Sequence, residues 1–250
     1  MYFGEPYLID LEDTVGSLTI YEPTIWDMVK IGEDRFFHSL NVFVTNTTAN
    51  KLSLWDVGLD WCVMSDFELF TSLFQSIDPD VWRMFFKDSE VSDFHAYNKH
   101  IDGKDILVLY NDEAKIEITE MVYFHISQYL RTMFNIFPEE KITKHQDLKE
   151  TYIMVERSKR DFEQKKKDKN ELEEHNQLQS IISACINHPG FKHSLKDLRD
   201  VGVAEFYDSV QRLQIYEHST ACLKGMFSGM IDSKKIKPEE YNFMKEIKHD

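Results

Sequence analysis

Cysteine is scarce. The three present, Cys62, Cys185 and Cys222, lie far apart and are odd in number. That pattern excludes a disulfide framework and fits a reducing cytosol. Positive charge is also in short supply: 29 Lys/Arg stand against 44 Asp/Glu, a formal net of −15. Non-specific nucleic-acid binding needs basic side chains on phosphates, so this balance argues against a nucleic-acid coat. It argues equally against docking on an anionic membrane. No apolar run reaches the 18 or so residues that a membrane-spanning helix needs. The opening "MYFGEPYLIDLEDTVG" has no basic stretch before an apolar core and does not read as a signal peptide. Reaction signatures are missing too: there is no G-x-S-x-G and no Cys–His pairing at a recognisable local spacing.

Apolar material is plentiful. Hydrophobic residues make up 42% and aromatics 13%, enough for a sizeable core. Charge divides the chain: residues 1–100 hold 6 Lys/Arg and 17 Asp/Glu, whereas residues 137–250 hold 20 and 21. The expected organisation is an α+β protein, with an acidic region of short strands and helices over 1–136. A mostly helical region with one long charged helix follows over 137–250.

Local signals fill in that outline. Tyr7-Leu8-Ile9 and Leu18–Tyr21 read as two short strands around Gly16. Pro23 ends the second, and Thr24 with Asp27 starts a helix whose apolar stripe is Ile25, Val29, Phe36, Leu40 and Phe43. Gly32 falls inside this stripe, where it weakens a helix by about 1 kcal/mol but leaves room for a close neighbour. "TNTTAN" (45–50) reads as a loop. Ser65 with Glu68 forms a capping box ahead of an apolar face of Phe67, Phe70, Leu73 and Phe74; Asp78-Pro79 opens a further short helix. "DILVLYNDEAKIEITE" reads as a hairpin turning at Asn111-Asp112 and running into a helix capped by Thr119. That helix carries Val122, Ile126, Leu130, Met133 and Phe137. Residues 150–179 contain no Gly or Pro and read as one exposed helix, frayed near Lys165–Asn170. His188-Pro189-Gly190 stops the apolar segment that follows, and a last long helix is predicted over 203–227.

Several constellations invite chemical readings. Gly225, Ser228 and Gly229 resemble a phosphate cradle, but a cradle opens a helix and these residues close one, so they read as a cap. Cys185, His188 and His193 lack the fourth ligand of a structural zinc site, and Cys185 reads as a buried thiol. Asp105, Glu113 and Lys115 follow the acidic-x-Lys pattern of metal-dependent nucleases, which needs carboxylates and lysine around one Mg²⁺. Glu113, however, falls on the predicted turn. Trp55 and Trp61 flank Gly58 in a non-helical stretch, and with Phe67 and Phe70 they are the candidate partner-binding residues.

"EPTIWDMVKIGEDRFF" (22–37), a strand followed by Pro-Thr-x-x-Asp and an amphipathic helix, resembles the opening of bacteriophage tail assembly chaperones and related tail-module proteins. "FYDSVQRLQ" (206–214) and "GMFSGMIDSKKI" (225–236) are similar to stretches in phage proteins of Gram-positive hosts. The resemblance implies a non-enzymatic, cofactor-free protein of the host bacterial cytoplasm, with the tail tape measure protein as its partner. It leaves an oligomer possible. A virion connector or baseplate subunit is the alternative, and a nuclease a more remote one.

Overall fold

The computed structural model describes residues 4–10, 16–87, 89–101, 103–139, 148–169, 177–232, 234 and 236–245. Its elements run β1 (Tyr7–Ile9), β2 (Leu18–Ile20), α1 (Ile25–Ile31), α2 (Glu33–Val44), α3 (Lys51–Asp56), α4 (Asp66–Leu73), α5 (Pro79–Phe85), β3 (Phe94–Ile101), β4 (Lys104–Asn111), β5 (Ile116–Ile118), α6 (Glu120–Phe134), α7 (Lys149–Lys169), α8 (Gln177–Ile186) and α9 (Val203–Phe227). The fold is α+β, with the strands in the first half and a mostly helical second half. β1 and β2 form an antiparallel pair; β3, β4 and β5 form an antiparallel sheet in that order.

The predicted helix starts form as the cap chemistry requires. Thr24 and Asp27 make a reciprocal capping box on α1, and Ser65 and Glu68 make another on α4. Asp78 accepts from Asp80 N to open α5, and Arg35 of α2 donates to the same carboxylate from Nε and Nη2 (2.9 and 2.6 Å). Burial opposes ionisation of Asp78, but the Arg35 hydrogen bonds outweigh it and hold the carboxyl below its ordinary range. One side chain thus caps α5 and ties it to α2.

The predicted 24–43 helix is two helices. Gly32 sits at φ 96°, outside the helical region, and separates α1 from α2. A Cβ there would meet nothing within 4 Å, so the glycine serves the backbone turn and not a close neighbour. The break shifts the phase of the stripe: Ile25, Phe36, Leu40 and Phe43 are buried, whereas Val29 is exposed. The last predicted residue of the α6 stripe also departs from the pattern. Left-handed Asn135 ends α6 and leaves Phe137 outside it, half-exposed.

"TNTTAN" is the loop its composition predicts, but a buried one: Thr45, Asn46, Thr47 and Thr48 are all shielded from solvent. Their polar groups are largely served inside. Asp66 accepts from Thr47 N and Oγ1 at 2.9 and 3.1 Å; Asn46 Oδ1 accepts from Ala49 N; Asn50 Nδ2 donates to Thr45 Oγ1. Arg131 of α6 donates to the carbonyls of Val44 and Thr45, a cation at the C-terminus of α2 where the helix dipole favours it.

Aromatics fill the main core. Phe43 lies within 6.0 Å, ring centre to ring centre, of Phe70, Trp82, Phe85 and Phe86. Trp82 is fully buried and donates from Nε1 to Ser89 O at 3.0 Å. Leu178, Ile182, Leu198, Val201, Val203 and Phe206 pack into the same cluster, so the acidic and helical regions share one core. The seam between them is a short stretch of backbone pairing. Thr24 bridges Gly202; Ile25 N donates to Val201 O (3.0 Å) and Val203 N to Pro23 O (3.1 Å). Glu22 Oε1 accepts from Ala204 N at 2.7 Å, capping the first turn of α9.

The predicted single helix over 150–179 is divided between α7 and α8; residues 170–176, and with them part of the expected fraying, lie outside the described residues. α7 itself continues through Lys165 to Lys169. At the far end, Ser228 caps α9 and Gly229, at φ 71°, is the left-handed residue beyond it. Gly225 is inside α9 with Ile231 lying where a Cβ would be, so it is a packing glycine and not part of the cap.

The seam has a direct test. A Cβ on Gly202 would overlap the Glu22 carboxylate. Gly202→Ala is expected to lower unfolding stability by about 1–3 kcal/mol through loss of the charged Glu22–Ala204 hydrogen bond. In a Glu22→Ala background the same change is expected to cost little. Denaturant titration of the four proteins of this cycle measures the coupling.

Candidate partner surface

The candidate residues divide sharply by exposure. Phe67 and Phe70 of α4 lie in the main core, Phe70 stacked on Tyr123 at 4.6 Å. Trp61 is 1% exposed and anchors a second, smaller core with Leu52, Leu54, Leu69 and Ile153. These three are therefore corrected from surface residues to core residues. Trp55 alone of the set reaches solvent, at 37%.

What surrounds Trp55 is the informative part. Val57 (70% exposed), Leu59 and Val63 (74%) lie with it in the nine residues 55–63. The turn that displays them is a Schellman end to α3. Leu59 N donates to Leu54 O at 2.8 Å, Gly58 N donates to Trp55 O at 3.0 Å, and Gly58 takes φ 79°. The apolar residues of the turn point out because Leu54 and Trp61 on either side of it point in. Four exposed apolar residues gathered in one short segment, on a chain rich in charge, are a candidate interaction feature.

The second core holds this ridge from below, and α7 is its other wall. Ile153 of α7 packs with Leu54 and Trp61, and Tyr152 lies beside them. Ion pairs border the contact: Arg157 with Asp56, Lys149 with Asp60, and the buried Lys51 with Glu156 (3.0 Å) and Glu139 (3.4 Å). Lys149 holds the Asp60 carboxyl below its ordinary range, helped by the backbone N–H of Cys62. An apolar centre with a charged rim is the anatomy of a protein–protein contact.

Other constellations are dispersed. Asp105, at the start of β4, meets His100 Nδ1 at 2.8 Å; Glu113 and Lys115 lie past the other end of the strand. At ~3.4 Å per residue the strand separates them by roughly 20 Å, too far for one metal ion. Cys185 is buried, which raises its thiol pKa, while His188 and His193 each face a glutamate of α9, Glu217 and Glu205, at 3.6 Å. Among the described residues, no group of three or more His, Cys, Asp and Glu is placed to hold a metal ion. No described helix is long and apolar enough to cross a membrane.

Val57, Leu59 and Val63 were not singled out by sequence. The available signal was three aliphatic residues in a glycine-containing turn, where polar residues are usual.

Two predictions follow from the division. Trp61→Ala is expected to cost about 3–5 kcal/mol of stability, and Trp55→Ala no more than about 0.5 kcal/mol, by denaturant unfolding. Trp61→Phe is expected to be milder than Trp61→Ala, because the buried Nε1 has no hydrogen-bond partner among the described residues to lose. The Asp60–Lys149 pair sets a pH dependence. A carboxyl with a depressed folded-state pKa adds stability above its unfolded value, and this is lost as pH falls through the folded value. Asp60→Asn is therefore expected to speed hydrogen exchange in the first turns of α7 at pH 7, with the difference from the parent protein shrinking as pH falls below the ordinary carboxylate range.

Comparison with known proteins gives one partial match. A family model described as the YomV second domain matches residues 165–248, about a third of the chain, running from the basic end of α7 through α8 and α9. YomV proteins are phage-encoded, which is consistent with a phage protein and says nothing of tail assembly. No curated protein and no solved structure matches the chain.

Proposed function

We propose that the chain is a non-enzymatic phage protein of the host cytoplasm that works by holding another protein, and that its client is the tail tape measure protein. The observation that carries the proposal is the ridge of Trp55, Val57, Leu59 and Val63, apolar and solvent-exposed over a packed second core. A chaperone needs an apolar surface that does not collapse on itself and a body charged enough to remain soluble while the surface is free. The ridge meets the first need, because the inward anchors Leu54 and Trp61 flank its outward residues Trp55, Val57 and Leu59. The net charge of −15 meets the second. The YomV match supports the phage setting, and the resemblance of residues 22–37 to tail assembly chaperones supports the choice of client.

Co-expression with the tape measure protein of the same phage tests this reading. The expected result is that the client becomes soluble and co-purifies. The double variant Val57→Asp/Val63→Asp should lose both effects while its own unfolding free energy changes by no more than about 0.5 kcal/mol per site. A client that remains insoluble with the parent protein, or a variant that performs equally well, contradicts the proposal. Stoichiometric recovery of the chain in purified virions contradicts it in another way and points to a connector or baseplate subunit.

A further inference from the structure

The β3–β4 hairpin reaches beyond the rest of its sheet. β5 pairs only with Leu109, Tyr110 and Asn111 of β4, so among the described residues the outer part of the hairpin is a ribbon of two strands. Asn98, His100 and Asp105 are exposed on one face of this ribbon, and Tyr97, Lys104 and Ile106 on the other. A two-stranded ribbon is marginal in water unless further strands extend it.

β3 is also an open edge: among the described residues no strand pairs with its far side. Two residues join it to β4, so the closing pair Ile101–Lys104 exchanges both backbone hydrogen bonds, and every second pair does the same. The N–H and C=O groups of Ala96, Asn98 and His100 therefore point away from β4. The usual protections of an edge are missing. β3 has no proline, and its register against β4 runs without a bulge. Its one lysine is turned aside: Lys99 reaches across β4 to Glu117 of β5, with Nζ 3.0 and 2.9 Å from the two carboxylate oxygens.

We propose that β3 pairs with β3 of a second copy of this chain, antiparallel about a two-fold axis at Asn98, so that the two sheets become one of six strands. Charge favours this occupant. Residues 94–111 hold two Lys and two Asp, whereas residues 1–100 hold 6 Lys/Arg against 17 Asp/Glu. Two copies of an acidic chain meet at this hairpin with little repulsion. Composition selects the register. Directly opposed residues of an antiparallel pair lie on the same face, so a two-fold pairing is centred on a residue. Centred on Tyr97, it sets His95 against Lys99 of the other copy. Centred on Asn98, it opposes two amides that can donate and accept to each other. It also sets Tyr97 against the aliphatic stem of Lys99, and Ala96 against His100, with no like charges opposed. The contact shares no residue with the ridge of 55–63 and does not rest on its reading.

The test is sedimentation velocity on the full chain and on two variants, Asn98→Lys and Asn98→Asp. A strand pair of this length is a small interface, so the parent is expected to dimerise with a dissociation constant of about 10–100 µM. Each variant alone opposes like charges across the axis and is expected to dimerise at least about tenfold more weakly. An equal mixture of the two opposes unlike charges and is expected to recover the dimer. Circular dichroism and the unfolding midpoint of each variant should match the parent, because Asn98 is exposed in the single chain. Exchange of the Ala96, Asn98 and His100 amides should slow as parent concentration rises. A parent that remains monomeric at about 0.5 mM, well above the expected range, overturns the proposal. So does a dimer that both variants leave unchanged, which places the contact elsewhere. Weakening in both variants without recovery in the mixture overturns the pairing of Asn98 with its own copy.

Discussion

A few residues, the extended backbone of Tyr21 to Thr24 and the first residue of α1, Ile25, hold the two halves of this protein together. On one side Tyr21 N donates to Phe85 O at the end of α5 (2.9 Å); on the other, Pro23, Thr24 and Ile25 pair with residues 201–203. The same stretch starts α1 through the Thr24 capping box and starts α9 through the Glu22 carboxylate. Each polar backbone group satisfied here is one that burial would otherwise make costly. Gly202 is part of the arrangement, since only a residue without a side chain leaves space for Glu22. With the seam formed, Val203 and Phe206 are carried into the aromatic core, and α6 and α9 come into contact.

A second constraint explains why apolar surface remains outside. The main core is closed by α1, α2, α5, α6 and α9, while α3 and the first half of α7 form their own small cluster around Trp61. A small cluster has few inward positions. Leu52, Leu54, Trp61, Leu69 and Ile153 occupy them, and Trp55, Val57 and Val63 are left at the surface. Ion pairs from Lys51, Lys149 and Arg157 fix α7 at the edge of this cluster. The proposed binding surface is thus held by packing on one side and charge on the other, which suits a site that has to be present before its partner arrives.

Much of this fold was legible in the chain wherever a signal is local. Thr24–Asp27, Ser65–Glu68, Asp78–Pro79 and Thr119 start helices because each cap is complete within three or four residues. Signals that depend on distant partners were not legible. Gly32 in a helical stripe reads equally as a weak helix residue or a break, and the surrounding packing decides it. "TNTT" reads as a loop, and its burial is not legible in its polar residues; Asp66, Glu139 and Arg131, up to 93 residues from it, make that burial possible. Trp55 and Trp61 are indistinguishable by type and neighbourhood. The Schellman turn between them, and Ile153 nearly a hundred positions later, send one outward and the other in.

The central structural claim is that the acidic α+β region and the helical region unfold as one unit, because they share a core and a seam. All four tryptophans lie between residues 26 and 82, so fluorescence reports chiefly the first region, although Trp26 also lies under Arg199 of the second. Hydrogen exchange at Phe206–Leu213 of α9 reports the second. Measured across one denaturant series, the two are expected to give the same midpoint and the same free energy, as a two-state unit requires. A helix α9 that exchanges at a lower free energy while the tryptophan signal remains native would show two independently stable regions and contradict the account.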